Sequence, residues 1–502
     1  MQRLTGLDEM YLALDTPRTT GHVAGVAVFE PGEARGEAPG AAGSDNRLEF
    51  LRNRVAERLP VLDLLRWTLQ SVPLGLDQRH WVETGEVDLT HHVVAVTVPL
   101  PGTDEQFHEV VDEIMTEHLP RDRPMWRIYL VEGLSGGRFA YVVKITHGLT
   151  DGSALWAIYD LLSDDPVEKA TPRPAQVLSG RRRQVELVKR GVAGLVAKPV
   201  EFVRLQGDLM TWAKGQVDQE GWATLPRTAL RVLPGSLPAP IAKALRKVAG
   251  ADADEIDPLM PTMSPPASPF NGAVTTNLGI TTADLGITDL RTIGKKVGGT
   301  INDAVLAVVA GGLRAYMADH GTVPEEPLVG SAPISWRTGE EVDRWANHVW
   351  MLFLPLPTHL ADPIARLRFA HDAATRAKTT WDHMPSHLMR RAAALIPSAV
   401  MAPGARIMTA LPIGLVPRMY NVAVSNVKGP RVPPTYDGVQ MKEYFLYGFL
   451  TPGCGILVGG MSLGDRMLLS TTACRDIVPD YRRLPDYFQA SLQELLAAPT
   501  PS

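Results

Sequence analysis

Between Phe139 and Trp156 the chain reads as a strand, a tight turn and the opening of a helix, and that order constrains the fold more than any other stretch. Phe139, Tyr141, Val143 and Ile145 alternate with Ala140, Val142, Lys144 and Thr146, the period of a strand. Gly148 and Gly152 bracket a short connection, and the apolar positions after Ser153 begin a helix. His147 therefore stands at a strand end, four residues before Asp151. An imidazole can take up a proton near neutral pH, and a nearby carboxylate can hold the ring or the loop in one arrangement. Taken alone, H-x-x-x-D-G also describes a structural histidine beside a turn aspartate.

A chain of 502 residues is too long for one ordinary core, so two domains are expected. Apolar residues make up 45% and charged residues 21%, a globular balance. The net charge of −5 creates no field that would gather nucleic acid, so no nucleic-acid partner is expected. Cys454 and Cys474 are the only cysteines. They flank an expected hairpin and are potential neighbours, yet two cysteines in so long a chain point to a reducing compartment and provide no zinc cluster. No metal constellation is expected. No basic segment followed by an apolar run marks a secretory signal, so a cytoplasmic location is expected. The most apolar region, Ala392 to Tyr420, is interrupted by Pro397, Pro403, Arg406, Pro412, Pro417 and Arg418. None of its runs reaches the ~18 residues of a membrane span. It reads as buried helices lining a core or as an apolar wall facing lipid.

Residues 1–163 form the expected first domain. Its strand His22 to Phe29, amphipathic helix Thr103 to Leu119 and strand Arg127 to Val131 lead up to the His147 stretch. Residues 164–262 form a basic helical linker. From Arg181 to Lys247 there are thirteen Lys and Arg against five Asp and Glu, a local excess of +8. Apolar residues recur through it, as in basic helices that lie on anionic lipid, or in a solvated interdomain pair facing an acidic neighbour. Residues 263–502 form the expected second domain. Thr300-Ile301-Asn302-Asp303 starts a helix, with Thr300 as cap. Asp362-Pro363 starts another. Tyr420 to Val427 reads as a strand, and Cys454–Ser462 with Met467–Ala473 as a hairpin.

Further segments stand in a telling order. Leu7-Asp8, Thr16-Pro17 and His22-Val23 open the chain. Arg123-Pro124-Met125-Trp126 precedes Thr146-His147-Gly148-Leu149-Thr150-Asp151-Gly152. Then come Asn302-Asp303, Pro333-Ile334-Ser335-Trp336-Arg337, Asn347, Ser425-Asn426-Val427-Lys428-Gly429-Pro430 and Val478-Pro479-Asp480. In these motifs the chain resembles the bacterial wax ester synthase/acyl-CoA:diacylglycerol acyltransferases, especially the actinobacterial type. These belong to the chloramphenicol acetyltransferase-like, condensation-domain superfamily. The resemblance runs from Leu4 to the last helix and is weakest in the basic middle.

The resemblance implies an α/β (α+β) fold of two chloramphenicol acetyltransferase-like domains, with mixed sheets flanked by helices and an interdomain active-site tunnel. It implies acyl transfer from acyl-CoA, a co-substrate rather than a bound cofactor, to diacylglycerol or a long-chain alcohol. His147 falls on the catalytic base and Asp151 on its organiser. Thr146, Gly152, Asn302, Arg337, Ser425 and Asn426 support them, with Arg337 the expected partner of Asp151. Asn302, Ser425 and Asn426 are expected oxyanion donors. The partners implied are acyl-CoA, a lipid alcohol and a peripheral membrane or lipid-inclusion surface. The family motif begins with two histidines, whereas this chain has Thr146 at the first. That departure leaves two other readings open: a relative with another acceptor or a carrier-protein donor, and a catalytically weak lipid-binding homologue.

Overall fold

Local chemistry starts most of the helices. In the computed structural model, which describes residues 1–31, 44–167, 171–220, 265–321, 323–335, 345, 347, 349–382, 391, 406–407 and 418–500, three helices open on reciprocal capping boxes. Thr5 with Asp8, Thr103 with Gln106, and Thr300 with Asp303 each exchange side-chain and backbone hydrogen bonds, which satisfies donors that helix starts leave unpaired. At Asp362-Pro363 the carboxylate accepts from the Ala365 amide at 2.6 Å, as the sequence leads one to expect.

The first part of the chain runs β1 (Gln2–Arg3), α1 (Gly6–Leu14), β2 (His22–Phe29), α2 (Ser44–Arg58), β3 (Trp67–Gln70), β4 (His80–Glu83), α3 (Leu89–His92), β5 (Val93–Thr97), α4 (Asp104–Thr116), β6 (Trp126–Glu132), β7 (Phe139–Thr146) and α5 (Gly152–Leu162). Among the described residues the linker carries helix α6 (Gly180–Glu220), with Pro199 inside it. The remainder runs β8 (Leu278–Gly286), α7 (Ile287–Lys295), α8 (Ile301–Asp319), β9 (Leu328–Ser335), β10 (Val349–Leu356), α9 (Pro363–Asp382), β11 (Val422–Val427), β12 (Thr435–Tyr436), β13 (Val439–Tyr447), β14 (Ile456–Leu463), β15 (Arg466–Cys474) and α10 (Leu484–Ala497).

Two six-stranded mixed sheets organise these elements. One has the order β12-β13-β2-β7-β6-β5, the other β10-β9-β11-β14-β15-β8. In the first, β5 runs parallel to β6; in the second, β11 runs parallel to both β9 and β14. The small sheet β1-β4-β3 stands apart. The first sheet is not built from the first part of the chain alone. Strand β13 pairs antiparallel with β2, from Met441 opposite Phe29 to Tyr447 opposite Ala24. A strand from beyond residue 263 thus completes the sheet that carries His147.

Strand β7 separates two cores. Phe139, Tyr141, Val143 and Ile145 pack with Leu155, Ile158 and Tyr159 of α5. Ala140 and Val142 pack with Phe107, Val111 and Ile114 of α4. A third core joins α8, α9 and α10 to the second sheet. Helix α8 is long and apolar enough to cross a membrane, yet residues 303–313 are all buried inside the fold, so it is a core helix. The apolar region at 392–417 lies outside the described residues, apart from Arg406 and Ile407. Cys454 and Cys474 are both buried free thiols rather than a bridged pair. Cys454 Sγ donates to the Asn421 carbonyl at 3.3 Å, while Cys474 lies beside the Thr275 hydroxyl.

Candidate active site

The strand end is fixed by its backbone. His22 of β2 stands opposite Thr146 of β7. Just past it, the His147 amide donates to the Gly21 carbonyl at 3.0 Å and the Leu149 amide to the Thr146 carbonyl at 3.1 Å. Gly148 presses the turn against α1, where a Cβ would meet Leu12 Cγ at 2.9 Å and the Asp8 carbonyl at 3.0 Å. A side chain there would push the loop off the helix. Gly152 is not crowded in this way. A Cβ there would make only ordinary contacts, with Val427 at 3.7 Å and Leu446 at 3.8 Å.

The half-buried His147 ring is gripped from three directions. Tyr11 of α1 stacks on it, with centroids 4.1 Å apart and planes 21° apart. Phe449 meets it edge-on at 5.0 Å. Asn347 Nδ2 lies 3.3 Å from both His147 Nδ1 and the His147 carbonyl, and the Asn347 side chain also reaches the Tyr11 hydroxyl. The ring also hydrogen-bonds its own backbone. These contacts fix the ring, and in the tautomer that carries its proton on Nδ1 the Nε2 atom is the one available to a substrate proton. Burial holds the imidazole below its ordinary pKa, opposed by its own backbone hydrogen bond and by the Asp151 charge. It is therefore neutral near pH 7, the form a general base needs.

Asp151 is the N-cap of α5. Its Oδ1 accepts from the Ala154 amide at 2.9 Å and the Ser153 hydroxyl at 2.7 Å. This buried carboxylate caps the helix start and is placed to hold the loop after His147. Arg337, its expected partner, lies outside the described residues. Thr146 is fully buried on the other side of the strand. Side chains alternate along β7, so Thr146 shares the α4 face with Lys144 while His147 faces Tyr11. The Thr146 hydroxyl has no hydrogen-bond partner among the described residues.

The second sheet brings its motif residues to the same place but divides them. Val427 at the end of β11 lies against Gly152, so the pleat turns Ser425 to that side and Asn426 away. Asn426 Nδ2 instead donates to Asn302 Oδ1 at 3.4 Å. Asn302 and Asn426 thus hold each other, and Ser425 is the member of the set that faces the His147 loop. Asp303 is locked by Thr300 and by His371 of α9, whose Nδ1 lies 2.9 Å from Asp303 Oδ2. Trp126 proves to be an anchor: its Nε1 donates to the Leu65 carbonyl at 2.8 Å and it stacks on His92.

Ligand atoms of Asp15, His22 and His118 come within 4.8 Å of one another. They are already engaged with protein groups. Asp15 takes His118 at 2.7 Å and Arg121 at 3.2 Å, and His22 Nε2 accepts from the Leu119 amide at 3.2 Å.

Comparison with known proteins decides the family. The wax ester synthase/diacylglycerol acyltransferase catalytic domain matches residues 4–305, and the C-terminal domain of the same family matches residues 345–496. The chain belongs to the wax ester synthase/diacylglycerol acyltransferase family. It is 30% identical to a Mycobacterium tuberculosis H37Rv protein bearing the name diacylglycerol O-acyltransferase, over 96% of this chain and 92% of that one. A second M. tuberculosis H37Rv protein of that name is 28% identical, over 99% of this chain and 90% of its own length. The fold is similar to the solved wax ester synthase/diacylglycerol acyltransferase of Marinobacter aquaeolei VT8, with a TM-score of 0.65 at 23% identity, covering 99% of this chain and 98% of that one.

Family membership makes this chain an O-acyltransferase with an acyl-CoA substrate. Three residues that hold the His147 ring were not assigned a role from sequence. Asn347 stands in the sequence only as one of the family's later motif residues, and Tyr11 only as a near neighbour of the Leu7-Asp8 motif. Phe449 carried no signal.

Proposed function

We propose that this acyltransferase moves a long acyl chain from coenzyme A to the hydroxyl of diacylglycerol or a long-chain alcohol, with His147 as general base. The observation that carries the reading is the His147 ring, neutral and held by Asn347 and Tyr11 at a strand end which both sheets approach. The acceptor hydroxyl gives its proton to His147 Nε2 as its oxygen attacks the thioester carbon. The carbon–sulfur bond then breaks, and the imidazolium returns the proton to the coenzyme A thiolate. Base catalysis of this type supplies ~10²–10⁴-fold. Ser425, on the Gly152 side of β11, is the favoured oxyanion donor among the three expected from sequence. Asn302 and Asn426 support it from behind. Coenzyme A would lie along basic side chains in a tunnel between the two sheets.

The acceptors are lipids, so the enzyme would work at a lipid surface, on the cytosolic face of a membrane or on lipid inclusions. The decisive measurement is thiol release from palmitoyl-CoA by purified protein, with diacylglycerol, with a long-chain alcohol and with neither. Acceptor-dependent release that disappears in His147→Ala, folded to the same extent, supports the reading, and the acceptor ranking names the product. Release that is absent, or equal in the variant, would instead favour a lipid-binding homologue or another donor.

A further inference from the structure

Helix α6 is docked along one side and open along the other. On the docked side Leu187 is fully buried, Gly191 lies against Val72 and Leu76, and Lys198 pairs with Asp77 at 2.6 Å. On the other side Val185, Val192, Val203 and Met210 stand roughly two, three and two turns apart, which puts them on one stripe. All four are exposed, Val203 at 68% and Met210 at 73%, on both sides of Pro199. Arg181, Arg182, Lys189 and Lys214 line the same stripe and are exposed. Between Arg181 and Lys214 the acidic residues Glu186, Glu201 and Asp208 fall away from it by helical spacing. Glu186 is paired with Arg190, and Asp208 with Arg391. The stripe therefore presents apolar and basic groups, with the uncharged Gln206 among them and Glu186, Glu201 and Asp208 off it.

A further exposed apolar group stands on the segment against which α6 docks. The turn Pro73–Gly75 belongs to the segment whose Val72 and Leu76 touch Gly191. Leu74 in that turn is 93% exposed at φ 60°. A non-glycine residue in the left-handed region is uncommon, and here it holds a leucine out into solvent.

We infer that the open face of α6, with Leu74 beside it, is the surface by which this acyltransferase sits on an anionic phospholipid bilayer. Its apolar side chains would enter the headgroup boundary and its arginines and lysines would meet lipid phosphates. The inference rests on the lipid-surface reading above and assigns that surface to particular residues. Charge complementarity favours an anionic bilayer over a second copy of this chain, because two such basic stripes repel.

The test is co-sedimentation with phosphatidylcholine vesicles, with and without phosphatidylglycerol, alongside acyl transfer to a short water-soluble alcohol. Wild type is expected to bind the anionic vesicles, and less as salt rises. The double variant Val192→Asp/Val203→Asp should bind at least ~10-fold more weakly, because it places two charges in the boundary. Arg182→Glu/Lys189→Glu should do the same without touching the apolar stripe. Both should keep wild-type transfer to the soluble alcohol, which also reports that they are folded. Undiminished vesicle binding by both variants overturns the assignment to α6 and leaves the lipid-surface reading standing. No vesicle binding by wild type overturns both. Self-association that these substitutions abolish would give the face to a second copy.

Discussion

The two sides of the end of β7 carry adjacent residues into opposite environments. His147 emerges half-buried between Tyr11, Phe449 and Asn347, with its ring held by groups from three other parts of the chain. Thr146 turns to the α4 side, where it is fully buried opposite His22 and two residues from Lys144. Lys144 donates to the Ile114 carbonyl at 2.5 Å, and burial pulls its ammonium down to about 7. One side is arranged around a ring with a free nitrogen; the other is closed around polar groups that touch no solvent. The family's two histidines occupy inequivalent positions, so losing the first need not silence the second.

The largest test of that contrast is His147→Ala. Turnover is expected to fall by ~10²–10⁴-fold while the thermal midpoint stays close to wild type, because the ring caps no helix. An equal loss from a substitution confined to the Thr146 side would erase the distinction. Asn347→Ala comes next, with a loss of up to ~10²-fold in kcat from a base free to rotate out of line. Asn347→Asp separates positioning from charge. A carboxylate beside the imidazole raises its pKa, so the acid limb of the kcat/KM profile should move to higher pH. A limb that stays in place would show that residue 347 does not stand beside the titrating base.

Asp151 sharpens the same side through a smaller effect. Its charge raises the His147 pKa against the lowering by burial. In Asp151→Asn the charge is lost while an amide oxygen can still cap α5. The acid limb is then expected to shift to lower pH, since the imidazole stays neutral further into acid. Asp151→Ala should show the same shift and also lose ~1 kcal/mol of stability with the cap. Equal stability in the two variants would show that the cap contributes nothing.

Much of this was legible because it is local. The alternation before His147, the Thr300–Asp303 box and the Asp362-Pro363 helix start are set by neighbours a few residues away. The hairpin β14–β15 forms where its turn residues stand, around Gly464. The ring's setting was not legible, because Asn347 is 200 residues from His147 and only the tertiary fold joins them. The exchange of β13 into the first sheet was hidden for the same reason: its pattern suits a strand in either sheet. The pleat also divides Ser425 from Asn426, although the sequence presents them as one motif.

The smallest effect is expected on the closed side. The Thr146 hydroxyl is buried without a partner among the described residues, so it carries a desolvation cost with no hydrogen bond from them in return. Thr146→Val has nearly the same shape and removes that group. It should leave kcat and acceptor ranking unchanged and raise stability by up to ~1 kcal/mol, read from chemical denaturation. Thr146→His restores the family residue but inserts a larger ring into a closed core beside His22. It should cost ~1–3 kcal/mol unless that side repacks. If Thr146→Val instead alters the ranking of diacylglycerol against long-chain alcohols, the closed side communicates with the acceptor, and the two faces of the strand act as one site.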